Sequence, residues 1–186
     1  MKKIMVLSSS IRTGKKSNRV ALYFMQYIQE HKLGEAELID LDAYQFPLFE
    51  ERLKLLKNPP EKLLKFAEKI KAADGIVLVT PEYNGGYPAS LKNAIDVLYE
   101  EWKRKPIALS TVSAGPFAGM NVITSLQFVL WKIGAHVVPA MFPVAMVEKA
   151  FDENGLATDK AGTDKRSAVF FAELGWHMQA AEKMSQ

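Results

Sequence analysis

The sequence contains no cysteine. That excludes structural disulfides, thiolate metal sites and cysteine nucleophiles, and it fits a reducing compartment. Histidine is scarce as well: His31, His136 and His177 stand far apart, without the spacing of a metal site. No apolar run approaches the length of a membrane span. The few apolar residues between Met1-Lys2-Lys3 and Ser8-Ser9-Ser10 are too short for the core of a signal peptide. A decisive charge is lacking too. The formal net charge of +3 and the pI near 8.9 favour small anions slightly, while acids scattered along the chain argue against a nucleic-acid surface. The expectation is a soluble, cytoplasmic protein.

With 48% hydrophobic and 24% charged residues in 186, the composition is that of one globular domain, 1–186, large enough to bury a proper core. Apolar runs at 4–7, 36–41, 75–80, 106–112 and 136–140 read as strands. Between and after them, 18–31, 59–73, 88–102, 119–133 and 163–184 carry apolar residues at helical spacing. Strands alternating with long helices imply a parallel sheet with right-handed crossovers. Five such units predict an α/β, flavodoxin-like three-layer sandwich of strand order 2-1-3-4-5. In that order the loops after the first and third strands face one another across a crevice, where open α/β sheets bind ligands.

Both loops suit a ligand. The stretch Val77-Leu78-Val79-Thr80-Pro81-Glu82-Tyr83-Asn84-Gly85-Gly86-Tyr87-Pro88 runs from a buried strand into a Gly-rich turn and a helix start. Its paired glycines let the backbone approach a flat ligand and offer it N–H groups. Taken alone it is an ordinary strand-to-helix turn. The segment Ser8-Ser9-Ser10-Ile11-Arg12-Thr13-Gly14-Lys15-Lys16-Ser17-Asn18 combines hydroxyls and cations at a helix N-terminus, a setting that favours anions. Arg12 can grip phosphate oxygens in bidentate fashion. The same segment reads equally as a solvated loop in which Ser17 or Asn18 caps the helix. It matches neither the Walker pattern nor GxGxxG, which disfavours a nucleoside triphosphatase or a dinucleotide-binding fold.

Ser10-Ile11-Arg12 with Ser17-Asn18 resembles the N-terminal signature of the NADPH-dependent FMN reductase family. Pro81-Glu82-Tyr83-Asn84, then Pro88 and Leu91-Lys92-Asn93-Ala94-Ile95-Asp96, is similar to its central motif. Phe46-Pro47-Leu48-Phe49-Glu50, Ser113-Ala114-Gly115-Pro116-Phe117-Ala118-Gly119 and Phe151-Asp152-Glu153-Asn154-Gly155 add weaker echoes. Ser9 and Ala118 depart from the pattern, standing where relatives often carry glycine.

The resemblance implies noncovalent FMN, with NADPH or NADH as donor and a small-molecule acceptor such as a quinone, a flavin or an azo dye. By that analogy Ser10, Arg12, Ser17 and Asn18 hold the phosphate. Pro81, Glu82, Tyr83, Asn84 and Gly85 line the isoalloxazine, largely through backbone amides, and Ser113 with Gly115 closes the third side. The flavin carries the redox chemistry, so no catalytic side chain is required. Turnover would be ping-pong. Lys15-Lys16 reads either as solvated surface or as a magnet for the extra phosphate of NADPH.

Other classes compete. A flavodoxin-type electron carrier shares the fold, but such carriers are typically strongly acidic. Ser113, Asp152 and His177 follow the chain order of a hydrolase triad, yet the first glycine of the elbow is missing. Asp152-Glu153-Asn154-Gly155 is a turn rather than a calcium loop, because the remaining ligands are absent. His31 at a helix end fits an interaction with the dipole. Finally, Val97, Tyr99 and Trp102 on one predicted helix, and Phe128 and Trp131 on another, lie off the inward stripes. Two such apolar faces predict a homodimer or homotetramer, with the Tyr44–Glu51 loop reaching towards the partner.

Overall fold

Five parallel strands form one sheet in the order β2-β1-β3-β4-β5, as expected. They are β1 (Lys3–Ser8), β2 (Glu35–Asp40), β3 (Gly75–Pro81), β4 (Pro106–Val112) and β5 (His136–Met141). This computed structural model describes residues 1–184. Strands β3 and β4 are buried almost throughout because helices cover both faces, which is why they read as unbroken apolar runs. The helices are α1 (Asn18–Glu30), α2 (Leu41–Tyr44), α3 (Glu61–Ala72), α4 (Ala89–Asp96), α5 (Met120–Lys132), α6 (Val147–Ala150) and α7 (Lys160–Lys183). Among the described residues, no helix is long and apolar enough to cross a membrane.

Each face of the sheet has its own core. On one side α3, α4 and α5 bury Leu63, Phe66 and Ile70, Leu91 and Ile95, and Val122, Leu126 and Leu130. On the other, α1 and α7 pack Phe24 between Phe170, at 5.4 Å, and Phe142, at 5.1 Å between ring centroids. Each of these side chains contributes about 1.5–3 kcal/mol by leaving water. The Asp152–Gly155 segment is a turn: Asp152 Oδ1 accepts the N–H groups of Asn154 at 2.9 Å and Leu156 at 2.8 Å. A Cβ at Gly155 would lie 2.6 Å from Tyr23 N, so the turn seats against α1 only as glycine.

The predicted helix 88–102 is shorter than its apolar spacing suggests. Helix α4 stops at Asp96, and a separate 3-10 turn spans Glu100–Trp102. Tertiary bonds replace the missing helical ones. Leu53 N–H donates to Val97 O at 2.8 Å, and the Trp102 indole N–H donates to Ile95 O at 3.2 Å. Val97 and Trp102 are therefore core residues, and Tyr99 is half-buried beneath the Arg52 guanidinium, 4.6 Å from its ring. The outward apolar face expected on this helix does not exist. That on α5 does: Phe128 and Trp131 are 62% and 66% exposed.

Candidate functional site

The carboxyl ends of β1, β3 and β4 deliver three loops to one cleft of about 280 Å³. The first continues β1, with Ser9 N–H donating to Val79 O at 3.0 Å before the chain turns back. Ser10 is buried; its hydroxyl shares a 2.6 Å hydrogen bond with the Tyr83 hydroxyl and accepts Arg12 N–H at 3.3 Å. Gly14, at φ +70°, closes the turn in which Lys15 N–H donates to Arg12 O. Ser17 stands at the N-cap position of α1, but its backbone is already helical and its hydroxyl makes no capping bond. The capping reading of Ser17 therefore falls.

This loop is unusual in its unmet hydrogen bonds. Among the described residues, the buried side-chain polar atoms without a partner are Ser8 Oγ, Ser9 Oγ, Ser17 Oγ and Asn18 Oδ1. Buried polar atoms are nearly always bonded, so four orphans in one short segment are exceptional; of them Ser17 lines the cleft, and Asn18 Oδ1, an amide oxygen, can only accept. The cations divide. Lys15 Nζ lies 2.7 Å from both Asp40 carboxylate oxygens and 3.3 Å from Asp42, and is spent on holding this loop to the end of β2. Lys16 pairs with Glu148 at 2.9 Å and holds that carboxyl below its ordinary pKa through the hydrogen bond and the charge. The exposed Arg12 guanidinium has no partner among the described residues.

The second loop is a tight hairpin. Tyr83 and Gly86 exchange hydrogen bonds of 2.8 and 3.0 Å across Asn84 and Gly85, whose φ values are +52° and +81°. Two central residues at positive φ define a primed turn, in which glycine is the natural choice. The amides of Tyr83 and Gly86 are thereby used within the turn, contrary to the expectation that they face a ligand. Asn84 and Gly85 form its tip, outside the residues that line the cleft; Pro81, Glu82 and Tyr83 do line it. Glu82 bonds to Asn121 in the first turn of α5.

The third loop brings Ser113 and Gly115 to the cleft. Ser113 Oγ donates to Gly115 O at 2.8 Å, and Met146 N–H donates to the same carbonyl at 3.0 Å. Ser113 is thus committed locally, while His177 lies on α7 with Nε2 3.5 Å from Glu173, so no hydrolase triad assembles. Of the predicted site residues, Arg12, Ser17, Pro81, Glu82, Tyr83, Ser113 and Gly115 share the cleft wall. Ser10 lies beneath Tyr83, and Asn18 follows Ser17 into α1. Sequence reasoning missed Val147, at the start of α6, and Asn121. The strand order was the available signal for Val147, since it puts the segment after β5 beside the β4 loop. A larger cavity, about 530 Å³, opens under the 44–60 segment between α2 and α3. Its walls are apolar and acidic, with Phe46, Leu48, Glu50, Glu51 and Glu61, and its one cation, Lys62, donates to Ala43 O. It is the wrong environment for a phosphate.

Known proteins point the same way. The family model for NADPH-dependent FMN reductase matches residues 2–149. An NAD(P)H-dependent FMN reductase of Schizosaccharomyces pombe is 33% identical over 143 residues, 75% of this chain and 70% of that protein. An NADPH azoreductase of a Bacillus species is 34% identical over 140 residues, 74% of this chain and 73% of that one. The structure of FerB, a flavoenzyme NAD(P)H:(acceptor) oxidoreductase from Paracoccus denitrificans, superposes with a TM-score of 0.74 at 24% identity, covering 98% of both chains. With crevice, motifs and relatives in agreement, the chain belongs to the NADPH-dependent FMN reductase family and is an FMN- and NAD(P)H-dependent oxidoreductase.

Proposed function

We propose that the protein passes hydride from NAD(P)H, by way of FMN held in the cleft between the β1, β3 and β4 loops, to a quinone, flavin or azo acceptor. The observation that carries the seat is the set of orphaned hydroxyls in the 8–17 segment, with that of Ser17 in the cleft wall; Asn18 would contribute through its amide Nδ2. A phosphate monoester is the ligand that such a set, a free Arg12 and the positive end of α1 fit best. Bound there, FMN supplies the redox chemistry.

The chain's own residues bind and orient. Ser10, Ser17 and Asn18 would hold the phosphate, with Arg12 closing over it in bidentate fashion. Pro81, Glu82 and Tyr83 would wall the ring on one side, and Ser113 with Gly115 on another. Lys15 is neutralised by Asp40 and Asp42, and Lys16 by Glu148, so neither is a free cation for the extra phosphate of NADPH. A flavin reduced by one ligand and reoxidised by another needs only one of them at its face at a time, which favours donor and acceptor taking turns. The exposed aromatic stripe of α5 favours a homodimer or homotetramer.

Purified protein with FMN should bleach when NADPH or NADH is added anaerobically, and double-reciprocal plots with a quinone should be parallel. A flavin that stays oxidised with both donors favours the electron-carrier reading. Intersecting lines refute the alternation.

A further inference from the structure

Helix α5 has no cap of its own. The residue before it is Gly119, which has no side chain, and its first turn carries no acidic residue. The first N–H groups of a helix lack helical partners and usually take them from a Ser, Thr, Asp or Asn just before the helix. That solution is closed here. Gly119 sits at φ +70°, and a Cβ on it would lie 3.2 Å from Thr111 Cβ and 3.3 Å from Val112 N. Ala118 before it is also left-handed, at φ +55°.

The acceptor comes instead from the loop after β3. Glu82 Oε2 accepts the Asn121 backbone N–H at 3.2 Å, and Oε1 accepts Asn121 Nδ2 at 2.8 Å. The carboxylate therefore stands at the positive end of α5, where an anion is favoured. Glu82 also lines the cleft, and α5 starts where the Ser113–Gly119 loop ends. One side chain ties the second cleft loop to the end of the third.

We propose that Glu82 is a positioning residue: by capping α5 from a distance, it fixes the spacing between the two loops that wall the FMN ring. This rests on the seat for FMN proposed above. The alternative is that Glu82 acts through its charge on the flavin.

The test uses the full chain and its Glu82→Ala, Glu82→Gln and Asn121→Ala variants. The readouts are amide hydrogen exchange at Asn121 in the apoprotein and FMN affinity by fluorescence titration. Glu82→Ala should speed Asn121 exchange and weaken FMN binding by roughly five- to tenfold, the scale of a lost cap. Glu82→Gln retains an oxygen for the backbone N–H, so both readouts should stay near wild type. Asn121→Ala loses only the Nδ2 bond and should show a smaller loss, with the Glu82→Ala/Asn121→Ala double variant no worse than Glu82→Ala. Wild-type FMN affinity in Glu82→Ala overturns the proposal. So does a Glu82→Gln variant as impaired as Glu82→Ala, which would assign the effect to charge. Should Glu82→Ala fail to fold, a Glu82→Gln variant with clearly weakened FMN binding, or an Asn121→Ala variant with wild-type exchange and wild-type FMN affinity, overturns the proposal. If wild-type protein takes up no FMN, it is the seat that fails, while Asn121 exchange still reports on the cap.

Discussion

Replacing Ser17 with alanine should move the stability of the apoprotein and the affinity for FMN in opposite senses. The Ser17 hydroxyl is buried, has no protein partner and makes no capping bond to α1. The usual cost of deleting an N-cap serine therefore does not apply. A buried hydroxyl without a protein partner adds nothing to folding and costs up to about 1 kcal/mol where water meets it only in part, so Ser17→Ala should stabilise the apoprotein by up to about 1 kcal/mol. In a chain of this length that raises Tm by up to about 2–4 °C. If the same hydroxyl donates to the FMN phosphate, its loss removes a charge-assisted bond of about 1.5–3 kcal/mol, a roughly ten- to 150-fold rise in Kd. Calorimetry of the apoprotein and titration with FMN measure the two effects separately. An apoprotein that melts lower, together with unchanged FMN affinity, would refute the assignment of Ser17 to the phosphate site.

Arg12→Ala should also weaken FMN by about 1.5–3 kcal/mol. It should leave apoprotein stability within about 0.5 kcal/mol, because the guanidinium has no partner to lose; unchanged affinity would move the phosphate elsewhere. Trp131→Glu should dissociate the proposed homo-oligomer, since a charge enters the exposed Phe128–Trp131 pair; wild-type protein running as a 20.8 kDa monomer in light scattering, fully active, would defeat that proposal. Burial, chiefly, and then the neighbouring Asp164 hold the Tyr23 hydroxyl well above its ordinary pKa, against the Ser167 hydrogen bond that lowers it. Its contribution is complete below the ordinary tyrosine value of about 10 and is lost as pH climbs beyond it. Tyr23→Phe should flatten that alkaline decline in urea-unfolding stability and cost about 1–2 kcal/mol at neutral pH through the lost hydrogen bonds; an unchanged slope counts against this reading.

Local pattern determined much of this protein. Strands buried on both faces must be apolar along their length, so β1, β3 and β4 are legible as runs, and α1, α3 and α5 announce themselves by the stripe they turn to the sheet. Strand count then set the topology, and topology placed the first and third loops together. Apolar spacing could not say where α4 ends, because Trp102 reaches the core from a 3-10 turn as well as it would from a helix once Leu53 and the indole satisfy the freed carbonyls. Nor could it separate Lys15 from Arg12. Both are cations in one polar loop, and only the approach of Asp40 and Asp42 neutralises the first and leaves the second free. The orphaned hydroxyls and the Glu82 cap belong to the same class. Each depends on which donors and acceptors meet across dozens of residues, a property of distance in space that no local pattern encodes.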